Sequence, residues 1–180
     1  MTLYFVTGNK GKFDEVQAII KDVEQLDIDL AEIQSDDPKV IIEAKLREAR
    51  ISCKGEILVE DTSLYFDGMG NLPGPLIKWF IKSLGILGLY KLSKNTGSAK
   101  ARAVTIFGYL DSSGIASFYA GEISGQIVAP RGNFGFGWDP IFQPDESNLT
   151  FAEMTKEEKL STKNNMRRIA LTKFQKSKLI

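Results

Sequence analysis

The chain has 180 residues, and its 23 Lys and Arg balance 23 Asp and Glu, so its formal net charge is zero. It holds no histidine and a single cysteine, Cys53, which excludes an intrachain disulfide, a His-ligated zinc centre, a Ser-His-Asp triad and a Cys-His pair. With 43% apolar and 26% charged residues it reads as one globular domain over residues 1–180, a length that buries about 70% of the extended-chain surface.

Leu3 to Val6 is a short apolar run followed by the turn Thr7-Gly8-Asn9-Lys10-Gly11-Lys12; Phe13, Val16, Ile19 and Ile20 then recur at helical spacing. Strand, glycine turn and helix form a common connection. They also present backbone amides, a helix N-terminus and two lysines to a phosphate. The turn is not a Walker A motif, because its glycines stand too close together and Phe13 occupies the place of the metal-binding hydroxyl. Residues 22–37 carry seven acids and no base, which reads first as a solvated face, with Glu32 a possible oxygen ligand. Asp37-Pro38 marks a helix start, and the stripe of Val40, Ile41, Ala44 and Ala49 carries that helix to about Cys53, a small buried hydrophobe at its end.

Ile57-Leu58-Val59 predicts a buried strand that ends in Glu60-Asp61-Thr62-Ser63. Adjacent carboxylates on a strand point in different directions, so one faces a cleft while the other is tied up structurally. Carboxylates and hydroxyls together suit Mg²⁺, and the same residues also suit a capped turn. A Gly- and Pro-rich loop over 68–75 leads to two helices, 76–84 and 87–92, interrupted at Gly85 and Gly88. Residues 101–110 and 115–127 are β-rich and joined by Asp111-Ser112-Ser113-Gly114, a hairpin signal. In residues 131–140 Phe134, Phe136 and Trp138 alternate with glycines, an arrangement that serves either as a loop anchor or as a stacking surface for a base, with Asp139 placed to accept from a base N–H. Thr155 and Glu158 form a capping box for a basic C-terminal helix, whose Lys159, Lys163, Arg167 and Arg168 either face solvent or reach phosphate and base oxygens. A phosphate-suited turn, carboxylates for a divalent metal, aromatic rings and a basic helix are together the parts of a nucleotide site. A metal-activated water does not require the missing imidazole. Neutral charge argues against a nucleic-acid partner. Leu3–Val6 is too short for a signal sequence, and no apolar run approaches a membrane span, so a cytoplasmic location is the expectation.

The chain resembles the inosine/xanthosine triphosphate pyrophosphatases, or Ham1-like non-canonical purine NTP pyrophosphatases. The resemblance is carried by Phe5-Val6-Thr7-Gly8-Asn9-x-x-Lys12, Val59-Glu60-Asp61-Thr62, Leu72-Pro73-Gly74-Pro75-x-Ile77-Lys78-Trp79-Phe80 and Gly125-x-Ile127-x-x-Pro130-Arg131-Gly132. Phe136-Gly137-Trp138-Asp139-Pro140-x-Phe142-x-Pro144 and Thr150-Phe151-Ala152-Glu153-Met154 follow in the same order. It implies an elongated two-lobed α/β domain with a central long-stranded mixed sheet flanked by helices and the substrate in a cleft between the lobes. It further implies a homodimer and Mg²⁺-dependent hydrolysis of ITP, dITP and XTP to monophosphate and pyrophosphate, which cleanses the nucleotide pool.

By the same resemblance Thr7, Asn9 and Lys12 hold the phosphates, with Gly8, Lys10 and Gly11 in their turn. Glu32 and Asp61 bind the metal, and Asp61, with Lys12 beside it, serves catalysis by activating the water. Lys45, Thr62, Ser63 and Lys78 line the phosphate side, and Phe136, Gly137, Trp138 and Asp139 hold the base, with Lys159 nearby. One departure stands out. Where the family carries Ser-His-Arg, anchoring on Ala170-Leu171 places Asn165-Met166-Arg167 after a two-residue insertion, while anchoring on Lys159 places Lys163-Asn164-Asn165. The first register keeps an arginine, Arg167, to face the purine 6-oxo group. Neither keeps a histidine, so a related enzyme with altered base preference and a catalytically silent nucleotide-binding protein stand as alternatives.

Overall fold

In the computed structural model, which describes residues 2–28, 30, 31, 33–161 and 165–178, the chain is built around one mixed sheet. The order of its strands is β2 (Val23–Leu26), β1 (Leu3–Val6), β3 (Glu56–Phe66), β5 (Lys100–Leu110), β6 (Ala116–Ile127) and β7 (Phe142–Pro144), and the short β4 (Pro73–Gly74) also pairs with β3. β1 runs parallel to β2 and β3, and the pairs from β3 through β7 are antiparallel. The observed fold is therefore the mixed α/β class expected.

The central strand decides how the faces are used, because side chains alternate along it. Leu58, Leu64 and Phe66 face one side. There Leu58 meets Val16 of α1 (Lys10–Ile19) and Ala170, Leu171 and Phe174 of α5 (Met166–Ser177) in one apolar cluster, and Leu64 and Phe66 belong to a second. Ile77 and Leu89 of α3 (Ile77–Asn95) pack into that second cluster. Ile57 and Val59 face the other side, against Ile42, Leu46 and Ala49 of α2 (Pro38–Ser52). Burying each such side chain contributes about 1.5–3 kcal/mol. The two clusters on the first face are separated along β3 by Glu60 and Thr62, so the sheet carries a polar belt between two apolar patches.

Two expectations change. Residues 60–63 lie inside an 11-residue strand rather than at its end, because ten residues of β5 pair with β3 and the belt's polar groups find partners within the protein. The basic C-terminal segment is two helices. The Thr155–Glu158 capping box starts the six-residue α4 (Lys156–Ser161), and Asn165, accepting from the Arg168 N–H at 2.9 Å, caps α5 separately. The helical break at Gly85 is observed, whereas Gly88 stays helical. β2 lies in the acidic stretch; at four residues, with exposed Glu24 and Gln25 at its centre, it has no apolar alternation to betray it.

α5 lies so close to β6 that a Cβ on Gly121 would sit 1.9 Å from the Met166 carbonyl oxygen. Gly121→Ala must push the start of α5 off the sheet, and urea unfolding is expected to show a loss of at least about 2 kcal/mol.

Candidate functional site

A cleft of about 790 Å³ opens where the parallel strands β1 and β2 end, which is where open α/β sheets commonly bind ligands. Thr7, Gly8, Asn9 and Lys12 line it from the β1–α1 connection, and Asp27, Ile28 and Leu30 from the segment after β2. Lys45 enters from α2, Glu60 and Thr62 from β3, and Lys78 from α3. Phe136, Gly137, Trp138, Asp139, Lys159, Met166 and Arg167 close the opposite end. Most of the residues expected at a nucleotide site are thus brought together.

Arg167, 1% exposed, is the centre of that end. Its Nε donates to Glu60 Oε2 at 2.7 Å, one Nη to Glu60 Oε1 at 3.0 Å, and the other Nη to Glu15 Oε2. Lys12 meets Glu60 Oε1 at 2.8 Å, and Lys159 meets Glu15 Oε1 at 3.0 Å and Asp139 Oδ2 at 2.8 Å. Three cations and three carboxylates therefore form one connected buried network. Burial alone would raise the Glu60 and Glu15 carboxyls, but Arg167, with Lys12 at Glu60 and Lys159 at Glu15, outweighs it and holds both below the usual carboxylate range. Burial would lower the Arg167 guanidinium, yet the two glutamates raise it well above its ordinary value. At Asp139 burial prevails over Lys159 and the carboxyl is raised.

Asp61 lies on the opposite face of β3 from Glu60, towards α2. Lys45 Nζ bonds its Oδ1 at 3.2 Å and the Glu60 carbonyl at 2.9 Å. Among the described residues Asp61 Oδ2 is buried without a hydrogen-bond partner. A hard carboxylate oxygen left unpartnered behind a cleft-lining lysine fits a divalent cation. Among the described residues no three Cys, Asp or Glu side chains form a cation cage, and Glu32 lies outside the described residues, as does Lys163. Asn9 caps α1, accepting from the Lys12 N–H at 3.0 Å, and Thr7 Oγ1 accepts from the Asn9 N–H at 3.1 Å; both hold the turn's shape.

Five expected residues sit differently. Asp61 lies behind Lys45 and does not line the cleft. Lys10 is on the outer side of α1, paired with Asp14 at 3.1 Å, and Gly11 packs against the Phe136 ring. Ser63 is buried in β3 and does not border the cleft. Trp138 borders it but is 7% exposed, its ring packed edge-on against Phe142 with centroids 5.3 Å apart. The half-buried Phe136, with Lys159 Nζ 4.9 Å from its centroid, is the ring the cleft offers for stacking, while Phe134 stays exposed and away from it. Glu60 is the one of the two adjacent carboxylates that is tied up structurally, but its partner Arg167 and the part played by Glu15 were not anticipated. Glu15 reads as one of two acids in an amphipathic helix, and only its position beneath two cations of distant sequence gives it meaning.

Removing the guanidinium takes the shared cation from two buried carboxylates and leaves each with a single lysine. Arg167→Ala is expected to cost about 3–5 kcal/mol in urea unfolding, part of which Glu60→Gln restores in the double variant. Because the Glu15 pKa is lowered in the folded state, its contribution is present above the ordinary carboxylate value of about 4.3 and is lost as pH falls below it. Melting temperature should drop steeply on the acid side, and Glu15→Gln should flatten that drop.

The Ham1 family model matches residues 3–177. An inosine triphosphate pyrophosphatase of Trypanosoma cruzi is 46% identical over 159 residues, covering 86% of this chain and 81% of the relative. The inosine triphosphate pyrophosphatase of Schizosaccharomyces pombe is 43% identical over 164 residues, covering 89% and 87%. Among solved structures, a HAM1 protein from Coxiella burnetii superposes with a TM-score of 0.79 at 19% identity over 99% of both chains. The Ham1 protein of Staphylococcus aureus does so with 0.74 at 21% identity over 99% and 98%. The chain belongs to the Ham1 family.

Proposed function

We propose that the protein is a Mg²⁺-dependent nucleoside triphosphate pyrophosphatase that converts ITP, dITP and XTP to the monophosphate and pyrophosphate, and so clears non-canonical purines from the nucleotide pool. The observation that supports this reading is a cleft lined by the phosphate-suited turn and by Lys45, with the unpartnered carboxylate oxygen of Asp61 buried behind that lysine. The names of the relatives, each an inosine triphosphate pyrophosphatase, support the substrate.

In this reading the triphosphate lies along the β1–α1 turn, met by the amides of the α1 N-terminus and by Lys12, with Lys45 and Lys78 alongside. The base lies against Phe136, towards Asp139 and Lys159. Asp61 and Glu32 would hold the magnesium, which supplies charge neutralisation at the phosphates and acidifies a bound water. Lys45 occupies Asp61 Oδ1, so Oδ2 is the atom left to take a metal or the proton of the attacking water. Water adds to the α-phosphorus and the bond to the bridging oxygen breaks. The pyrophosphate then carries away the charge that the lysines stabilise. A homodimer in the cytoplasm completes the reading. For the membrane question, no helix among the described residues is long and apolar enough to cross one.

A second reading, altered base preference, is favoured by Met166. It stands 2% exposed at the base end, in the register where the resemblance expects histidine, and it offers a thioether in place of a ring donor. Arg167 beside it is committed to two glutamates, so its guanidinium is not spare for a 6-oxo group. Turnover of ITP, XTP, GTP, ATP and dUTP separates the readings. The first expects pyrophosphate, not orthophosphate, from ITP and XTP with GTP and ATP far slower; it fails if Mg²⁺ and purified protein leave ITP, dITP and XTP untouched.

A further inference from the structure

Asp27 follows β2 directly and lines the same end of the cleft as Thr7, Gly8 and Asn9. Its carboxylate lies over the turn, close enough that a Cβ on Gly8 would meet Oδ1 at 3.1 Å. The side chain is exposed, and among the described residues it takes part in no hydrogen bond or ion pair. Among the described residues none of the cleft's lysines bonds it, Lys12 being held by Glu60 and Lys45 by Asp61. An unneutralised carboxylate thus stands where a polyanion must lie. A protein that merely needed to attract phosphate would gain by placing almost any other residue there.

We propose that Asp27 is a specificity-determining residue that makes the cleft select the cation-complexed triphosphate over the bare one. The inference rests on the pyrophosphatase reading above. A phosphate oxygen about 4 Å from Asp27 in water is opposed by an amount worth about fivefold in affinity. Once a divalent cation covers the phosphates the same carboxylate meets positive charge, and the opposition becomes attraction. Selection of this kind keeps metal-free nucleotide, which cannot react, from occupying the site.

The test is equilibrium binding of the non-cleavable α,β-imido analogue of ITP, in EDTA and in saturating Mg²⁺, to the wild-type chain, Asp27→Asn and Asp27→Glu. Asp27 holds no other residue, so both variants should melt with the wild type. The ratio of metal-free to Mg²⁺ dissociation constants is expected to fall about fivefold or more in Asp27→Asn and to persist in Asp27→Glu. An unchanged ratio in Asp27→Asn overturns the proposal. So does tighter binding by one factor in both conditions, which is plain repulsion without selection, and so does equal loss in both variants, which is shape rather than charge. Absence of ITP turnover by the wild type with Mg²⁺ overturns the pyrophosphatase reading instead, a result independent of the binding ratio. Failure of all three proteins to bind the analogue overturns both.

Discussion

The structure depends on one buried guanidinium. Arg167 ties the start of α5 to Glu60 in the middle of the sheet and to Glu15 on α1, and Lys12 and Lys159 attach to the same two carboxylates. Burying any one of these charges alone would cost several kcal/mol; together each satisfies the others. The network sits between two apolar clusters on the same face, one holding α1 and α5 to the sheet and the other holding α3 and the start of α5. Packing supplies the adhesion, and the ion pairs fix which turn of α5 meets which residue of β3.

That arrangement also sorts the two carboxylates of β3. The pleat sends Glu60 towards α1 and α5, where three cations meet it or its partners, and sends Asp61 towards α2, where one lysine meets one oxygen. Neighbours in sequence thereby differ in environment: Glu60 is saturated and structural, and Asp61 keeps Oδ2 open. Lys45 connects the two sides, since it bonds the Glu60 carbonyl as well as Asp61. The cleft inherits a floor of self-satisfied charge, with Asp27 at its edge and Asp61 Oδ2 behind Lys45 lacking a hydrogen-bond partner among the described residues.

Much of this was legible in the sequence because it is written in local patterns. The Asp37-Pro38 start of α2, the hairpin turn at 111–114 and the Thr155–Glu158 capping box each state their own geometry within a few residues, and each is observed. So is the sharing of the cleft by Thr7, Lys12, Lys45, Phe136 and Asp139, which the ordered motifs imply. The partners of Arg167 were not legible. Glu15, Glu60 and Arg167 are separated by up to 152 residues, and no local pattern distinguishes a basic residue facing solvent from one that crosses a core. The length of β3 was hidden for the same reason, since Glu60-Asp61-Thr62-Ser63 looks like a strand end until the cations that neutralise it are placed. Zero histidine began as an exclusion of imidazole chemistry. In the structure the residues that the resemblance sets over the family's His-Arg are a buried methionine, Met166, and an arginine already engaged by two glutamates.

The division of labour between Glu60 and Asp61 is the claim on which the rest turns, and parallel measurement of stability and turnover in Glu60→Gln and Asp61→Asn tests it most directly. Glu60→Gln, which leaves part of Arg167 unpaired, should lose about 3–5 kcal/mol in urea unfolding. Asp61→Asn should unfold within about 1 kcal/mol of the wild type and release almost no pyrophosphate from ITP. A Glu60→Gln protein as stable as the wild type, or an Asp61→Asn protein with undiminished turnover, would contradict the account.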